Sequence, residues 1–191
     1  FVVVFYNERN ATGDSIRYDV FVRRYDADGV PGSEVNLTYD GSSLAEYQPH
    51  VTALASGGYV VTWYSNGEGG KVIAQIFDAA GTGGDVFEVG TSDQTAAHQP
   101  QVVQLAGGDL VFAYTVGEAG AVHDGNANGV YMRRFDSDGT GASAPVLVNT
   151  YTTSNQQDPQ IAALLDGGHV IAWQSSGQDG STWGIYAQKF D

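Results

Sequence analysis

Short apolar runs separated by glycine-rich turns dominate the chain, and one such run recurs four times in register. The four copies are residues 1–5, 59–63, 110–114 and 169–173. Each copy ends on an aromatic residue, and these residues are Phe5, Trp63, Tyr114 and Trp173. The spacing between these aromatics is 58, 51 and 59 residues, and no helical period occurs along the chain. Runs rich in valine and aromatics predict β-strands, and such a period is typical of tandem repeats.

Three further strands can be placed around this recurring run. An apolar segment and a glycine pair precede it in the last three copies, which predicts a tight hairpin because glycine readily adopts a positive φ. A third strand closes with an aromatic residue, Asp, two residues and Gly, at positions 25–29, 77–81 and 135–139. A fourth strand follows at positions 34–38, 85–89 and 145–149. The chain thus begins at the second strand of one repeat and stops after the third strand of another.

The second strand of the repeat is apolar on both faces. In the second copy, Tyr59, Val61 and Trp63 point one way, while Val60 and its alternate neighbours point the other way. A strand covered on both faces is expected in stacked sheets. The pattern predicts an all-β fold, a β-propeller of about four four-stranded antiparallel blades, with tandem small β-sandwich or β-solenoid units as the alternative.

The repeats divide one predicted domain, residues 1–191, into four parts. These parts are residues 1–47, 48–98, 99–157 and the incomplete 158–191. A ring of four blades would need one first strand and one fourth strand that these residues do not contain. We therefore expect open strand edges, which favour pairing with a neighbour.

Composition narrows the classes of partner. Twenty-two acidic residues against eight basic ones give a formal net charge of −14, which repels phosphate backbones and anionic lipid headgroups. No apolar run approaches the length of a membrane span. The absence of cysteine excludes disulfides, thiolate zinc sites and a cysteine nucleophile. We expect neither nucleic acid binding nor direct membrane insertion.

One loop has the spacing of a calcium site. Asp124, Asn126 and Asn128 stand at alternate positions before Gly129, so their side-chain oxygens can converge on a hard cation. The twelfth position of this loop is Phe135, so the bidentate glutamate of a complete EF-hand loop is missing. The sequence predicts calcium as the one candidate cofactor, and a turn rich in Asn and Gly is the alternative.

No catalytic constellation is evident in the loops that follow the recurring run. Glycoside hydrolysis needs two carboxylates at a fixed separation. Glu8, Glu68, Glu118 and Asp179 stand three, five, four and six residues beyond the aligned aromatics, so they share no common position. The four histidines also fall at four different positions of the repeat. On these grounds we predict that the chain is not an enzyme.

The fourth copy carries the sequences most characteristic of a known repeat type. They are Asp-Gly-Gly-His-Val-Ile-Ala-Trp-Gln-Ser at 166–175, Gly-Ile-Tyr-Ala-Gln-Lys-Phe-Asp at 184–191, and Val-Asn-Thr at 148–150 of the third copy. This pattern resembles the tandem β-propeller-like repeats of very large exported proteins of α-proteobacteria and related bacteria. Such repeats often stand beside hemolysin-type (RTX) calcium-binding and cadherin-like segments. The resemblance implies an extracellular or cell-surface location, with no catalytic residues to carry over.

Three functional hypotheses follow. The first is a non-enzymatic module of a large secreted bacterial surface protein, acting in adhesion or assembly by contact with a protein or glycan, or with copies of itself. The second is a purely structural array or filament-forming unit joined through open strand edges. The third, a fragment of an extracellular glycoside hydrolase, needs a pair of carboxylates that the sequence does not reveal.

Overall fold

The computed structural model describes residues 1–9, 17–38, 44–91, 94, 96–117 and 127–191. Within these residues the chain forms four antiparallel sheets, each made of strands that follow one another in sequence. The first sheet holds β1 (Val2–Arg9), β2 (Arg17–Tyr25) and β3 (Pro31–Asn36). The second holds β4 (Glu46–Ala53), β5 (Tyr59–Ser65), β6 (Lys71–Phe77) and β7 (Gly83–Glu88).

The other two sheets repeat the same order. The third holds β8 (Ala97–Gln104), β9 (Leu110–Val116), β10 (Gly129–Phe135) and β11 (Val146–Leu147). The fourth holds β12 (Gln156–Ala163), β13 (His169–Ser176) and β14 (Trp183–Phe190). The helical content of the described residues is a short 3₁₀ turn at Gly67–Gly69, and no helix among them is long and apolar enough to cross a membrane. The predictions of an all-β fold and of the strand order within each repeat are confirmed.

Glycine fixes the tight turn between the first and second strands of the repeat. Gly57, Gly108 and Gly167 have φ of +89°, +100° and +95°, a region that other residues rarely adopt. The Gly57 amide donates to the Leu54 carbonyl at 2.9 Å and closes the turn. Each hairpin therefore starts the next sheet with a fixed register.

The sheets stack in chain order, and the apolar core lies between them. Val20, Val22, Val61 and Trp63 fill the space between the first and second sheets. The second and third sheets enclose a cluster centred on Phe112, which is fully buried. The third and fourth sheets meet through Ala113, Val130, Val148, Ile171 and Trp173. The recurring run predicted from sequence thus supplies core residues to all three interfaces.

Arginines near the ends of the third strands tie neighbouring sheets together. Arg24 donates to the Ala80 carbonyl and, at 2.7 Å, to the Ala79 carbonyl of the second sheet. Arg133 of the third sheet donates to the carbonyls of Val89 at 2.9 Å and Gly90 at 2.7 Å. Two of the eight basic residues thus link neighbouring sheets, Arg24 at the turn that follows β6 and Arg133 at the residues that follow β7.

Candidate functional site

The first strands β4, β8 and β12 lie side by side, and each is broken by a bulge at the same position of the repeat. The register shifts fall between Tyr47 and His50, between His98 and Gln101, and between Gln157 and Gln160. The bulged residues are Gln48, Gln99 and Asp158, and each of them precedes a proline. Because β4 packs against β8 and β8 against β12, these three residues meet at one edge of the stack. We call Gln48, Gln99 and Asp158 the inner-edge cluster.

Hydrogen bonds run from one member of the inner-edge cluster to the next. The Gln99 amide nitrogen donates to Gln48 Oε1 at 3.0 Å. The Asp158 amide nitrogen donates to Gln99 Oε1 at 3.1 Å, and Gln99 Nε2 donates to Asp158 Oδ1. The second carboxylate oxygen of Asp158 accepts from Gln157 Nε2 at 3.3 Å. The cluster is therefore one connected polar network that crosses three sheets.

The backbone at these positions is held in an unfavourable conformation. Gln48, Gln99 and Asp158 have φ of +56°, +54° and +54°. A positive φ is uncommon for any residue except glycine, and the following proline restricts the preceding residue further. Such conformations cost about 1–3 kcal/mol each, and they concentrate at functional sites. The recurrence of this strain in three sheets singles out the inner edge.

The inner-edge cluster lines an open cavity of about 260 Å³. Its wall consists of the three cluster residues, the three prolines that follow them, and Gln101 and Gln160. Among the described residues that line the cavity, Asp158 is the one charged side chain, and no lysine or arginine is present. Amide groups and a carboxylate can exchange several hydrogen bonds with a neutral polyhydroxylated ligand. A ligand that carries negative charge would meet Asp158 without a compensating cation.

Four tyrosines form a continuous aromatic group beside this cavity. The Tyr6 and Tyr18 ring centroids are 5.6 Å apart, and Tyr47 lies 6.3 Å from Tyr6 and 6.4 Å from Tyr18. Tyr47 and Tyr64 are 4.7 Å apart. We call these four residues the tyrosine run. It joins the first sheet to the second at the same end of the strands as the inner-edge cluster.

Two histidines lie next to these groups. His98 packs edge-on at 6.5 Å from Tyr64, and its Nδ1 is 2.7 Å from the Ala96 carbonyl oxygen. His50 Nδ1 accepts a hydrogen bond from the Val102 amide at 3.2 Å. Burial lowers the pKa of His50, and the accepting Nδ1 requires its proton to be on Nε2. His50 is therefore a neutral ring that joins β4 to β8.

The predicted calcium loop falls mostly outside the described residues. Asp124 and Asn126 lie outside them, whereas Asn128 is described and half-buried. The Asn128 amide donates to Asn155 Oδ1 at 3.3 Å, and its carbonyl accepts from the Gln156 amide at 2.8 Å. Among the residues that the structure describes, no group of three or more histidines and carboxylates could hold a metal ion. Calcium at Asp124, Asn126 and Asn128 stays a prediction.

The carboxylates singled out from the loops do not converge among the described residues. Asp179 accepts hydrogen bonds from the Ser181 amide at 2.9 Å and hydroxyl at 2.6 Å, and these bonds lower its pKa. Asp26 likewise accepts from the amides of Asp28 and Val30 and shapes its own turn. Glu8 is exposed on β1, and Glu118 lies outside the described residues. Asp179 and Asp26 therefore have local roles in their own turns.

Sequence reasoning missed the inner-edge cluster, although a signal was present. The pairs Gln48-Pro49, Gln99-Pro100 and Asp158-Pro159 occur once in each of the last three repeats. They stand in the first strand of the repeat, where a Pro normally indicates an edge or a bulge. The third pair substitutes a carboxylate for the amide. That change places Asp158 among glutamines at the edge where the sheets converge.

The structures most similar to this chain include enzymes that act on glycans. The α-L-arabinanase of Penicillium chrysogenum, solved with arabinobiose, has a TM-score of 0.65 at 14% identity, over 98% of this chain and 62% of that one. The α-L-arabinofuranosidase of Fusarium graminearum, assigned to GH93 and also solved with arabinobiose, has a TM-score of 0.58 at 15% identity, over 90% of this chain and 53% of the other.

A protein of unknown function from Dyadobacter fermentans has the same fold. Its TM-score is 0.72 at 13% identity, over 98% of this chain and 49% of that one. The chain thus spans about half to three-fifths of the length of these structures. No family model matches the sequence, and no curated protein matches it. At these identities the similarity shows a shared fold.

These neighbours overturn two predictions. The chain was expected to be a non-enzymatic adhesion or assembly module, yet the structures similar to it are mostly glycoside hydrolases. The prediction that it is not an enzyme is wrong on the same finding. The first prediction rested on the resemblance to repeats of exported bacterial proteins, and the second on the irregular positions of the loop carboxylates. The structure instead places a carboxylate on an inner strand, at Asp158, where loop spacing carries no information.

Proposed function

We propose that the chain is part of a glycoside hydrolase-like β-propeller, and that the inner-edge cluster binds a neutral sugar unit near the axis of that propeller. The single observation that carries this proposal is the network of Gln48, Gln99 and Asp158, held in strained backbone at the edge where β4, β8 and β12 converge. In a propeller this edge faces the axis, and pockets in such folds open there.

The chemistry of the cavity favours a neutral glycan. Hydroxyl groups can donate to Asp158 and accept from the glutamine amides, whereas the carboxylate of an acidic sugar would be repelled. The net charge of −14 adds a long-range repulsion against polyanions. The neutral disaccharide arabinobiose, found in two of the similar structures, is therefore the first probe.

Hydrolysis would add water across a glycosidic bond, with one carboxyl group protonating the leaving oxygen and a second carboxylate acting on the opposite side of the sugar. Asp158 is our candidate for one of the two. The second would come from another part of the propeller. Polysaccharides are met outside the cell, so the extracellular or cell-surface location expected from the repeats fits this proposal and remains part of it.

Calorimetric titration of the 191-residue chain with arabinobiose and longer arabino-oligosaccharides tests the proposal. Asp158→Asn should weaken binding at least about tenfold, because it removes the charged acceptor and leaves Gln99 with a poorer partner. Asp166→Asn is the matched control, since Asp166 is an exposed carboxylate paired with Lys189 at 2.7 Å. An acidic oligogalacturonide should not bind. Absence of binding to all neutral oligosaccharides, or equal affinity of wild type and Asp158→Asn, would overturn the proposal.

A further inference from the structure

The tyrosine run extends from the inner-edge cluster toward solvent. Tyr47 immediately precedes Gln48 on β4 and pairs across the sheet with Tyr64 of β5. Tyr18, on β2, and Tyr6, on β1, continue the run onto the first sheet. Tyr6 is 51% exposed, while the other three rings are half-buried. A ligand seated at the inner edge would meet Tyr47 first and Tyr6 last.

Packing of the sheets does not explain the aromatic character of these positions. The residues aligned with Tyr6 and Tyr64 in the third and fourth repeats are Thr115 and Gln174. The residues aligned with Tyr47 are His98 and Gln157. The third and fourth sheets stack as the first and second do, yet they carry mostly polar residues there. The tyrosines are thus a feature of one side of the inner edge and not a requirement of the repeat.

A tyrosine side chain can contact both the apolar and the polar surface of a neutral sugar. The ring can cover the apolar C–H face of a sugar, and the hydroxyl can exchange hydrogen bonds with its rim. Burial, together with a hydrogen bond to Tyr47 and the nearby Glu46, raises the pKa of Tyr64 to about 12, so this phenol stays neutral. Tyrosine also loses little conformational entropy on contact, because it has only two side-chain torsions. Neighbouring rings of the tyrosine run have centroids 4.7–6.4 Å apart. Neighbouring sugar units of an oligosaccharide can therefore each contact a different ring.

We infer that the tyrosine run is an extended subsite on which further units of a neutral oligosaccharide stack, outward from the unit held at the inner-edge cluster. The inference rests on the proposed function and adds that the ligand is an oligosaccharide rather than a single sugar or disaccharide. It also assigns a direction, from Asp158 across the second sheet to Tyr6 on the first. The affinity should therefore rise with the number of sugar units.

The test measures how affinity depends on the length of the oligosaccharide. It uses variants whose new residue already occurs at the same position of another repeat. Tyr6→Thr and Tyr64→Thr copy Thr115, and Tyr47→Gln copies Gln157, so each introduces a residue found at the aligned position of another repeat. Calorimetry with arabino-oligosaccharides of two to six units gives the affinity at each length, and thermal melting verifies folding. We expect wild-type affinity to rise at least about tenfold from two units to six, and each variant to lose most of that rise.

A matched control lies at the other end of the stack. Trp183 occupies the position on β14 that Tyr18 occupies on β2, and it is 45% exposed, but it lies on the fourth sheet, away from the tyrosine run. Trp183→Ala should leave the length dependence unchanged. An unchanged length dependence in all three tyrosine variants would overturn the subsite. An equal loss in Trp183→Ala would overturn it too, because the effect would not be specific to the run.

The outcomes also separate this inference from the proposed function. If arabinobiose binds and Asp158→Asn abolishes binding, but the tyrosine variants behave as wild type, the subsite is wrong and the proposed function stands. If no oligosaccharide binds the wild-type chain, both are wrong. If longer chains bind more tightly, with the gain lost in the tyrosine variants but no effect of Asp158→Asn, the aromatic surface binds sugar and the inner-edge site is wrong.

Discussion

The two central sheets and the two end sheets are built from the same repeat but meet different surroundings. The second and third sheets have a neighbour on both faces, whereas the first and fourth have one neighbour each among the described residues. The same strand position shows the difference: Val61 of the second sheet is fully buried, and its counterpart Val3 of the first sheet is 39% exposed. Identical side chains thus experience very different burial.

The uncovered faces have nevertheless kept their apolar character. Phe1 is 74% exposed beside Val3, and Phe5 stacks on Phe21 at 5.6 Å on the same side of the first sheet. On the fourth sheet, Ile185 is 74% exposed. Monomeric proteins rarely leave contiguous apolar patches in water. The repeat therefore encodes a sheet to be covered on both sides, which agrees with the proposed propeller, where further sheets would cover these faces.

The largest expected difference between central and end sheets is at Phe112. Its ring is fully buried, with Phe135 at 5.3 Å and Phe87 at 6.1 Å. Phe112→Ala should lower the free energy of unfolding by about 3–5 kcal/mol, because it removes the ring and leaves a cavity. Phe1→Ala, on the uncovered face, should change it by less than about 1 kcal/mol. Urea titrations followed by tyrosine and tryptophan fluorescence measure both, and similar losses would contradict the assignment of central and end faces.

The same substitution, Val to Ala, can be made in a central and in an end sheet. The expected difference in stability is smaller than for Phe112→Ala and Phe1→Ala. Val61→Ala should cost about 2 kcal/mol, since two buried carbons leave a closed interface. Val3→Ala should cost less than about 1 kcal/mol, since its side chain is already partly in water. If the unfolding free energies of the two variants depend equally steeply on urea, the difference in their urea midpoints gives the difference in stability. If the two variants lose equal stability in the isolated chain, the outward face of the first sheet is covered in solution.

Much of the fold could be predicted from the sequence, because it depends on short-range patterns. The recurring run, the glycine turn and the aromatic-Asp-x-x-Gly closure are each local, and together they locate the first three strands of the repeat. The turn glycines agree with the alignment on the aromatics, because Gly57, Gly108 and Gly167 each stand six residues before the aligned aromatic and each has a positive φ.

The candidate site could not be predicted, because its members are distant in sequence and become neighbours only when the sheets stack. Asp158 is 59 residues from Gln99, and Tyr6 is on a different sheet from Tyr47. No local pattern distinguishes a proline that marks a bulge where neighbouring sheets meet from one at an ordinary strand edge. The spacing of carboxylates in the loops therefore gives no sign of Asp158, which lies on the first strand of its repeat.

Two arginines provide a third comparison, because Arg133 donates to a neighbouring sheet and Arg134 pairs with a residue of its own sheet. Arg133 donates to two carbonyls of the second sheet and lies over the Phe135 ring at 5.2 Å. Arg134 pairs with Asp109 of its own sheet at 2.6 Å and is half exposed. Arg133→Lys should cost about 1–2 kcal/mol, because a single ammonium cannot replace the planar fork. Arg134→Lys should cost less than about 0.5 kcal/mol. Chemical denaturation of both variants measures the difference, and the reverse order would show that Arg133 does not link the sheets.

The smallest expected effect is a pH dependence that arises from one histidine of the central sheets and one histidine of the fourth sheet. Burial lowers the pKa of both His50, between the second and third sheets, and His169, which stacks on Phe190 of the fourth. The unfolded chain, where histidine titrates near pH 6.5, therefore binds more protons than the folded chain as the pH falls. Stability should be constant above about pH 7.5 and should decline between about pH 7 and 5, by at most about 1.4 kcal/mol per pH unit for each histidine.

Replacing each histidine in turn shows how much of the decline in stability is due to each one. His50→Gln keeps an acceptor for the Val102 amide and removes a titrating ring from a covered interface, so the unfolding free energy should fall less steeply between pH 7 and 5. His169→Gln should flatten the decline as well, because His169 is buried on the covered face of the fourth sheet, with its Nε2 3.4 Å from Met132 Sδ of the third sheet. The measurement is a series of urea titrations at half-unit pH steps. A decline as steep in His50→Gln as in the wild type would show that His50 is not protonated on unfolding and that its interface is open to water.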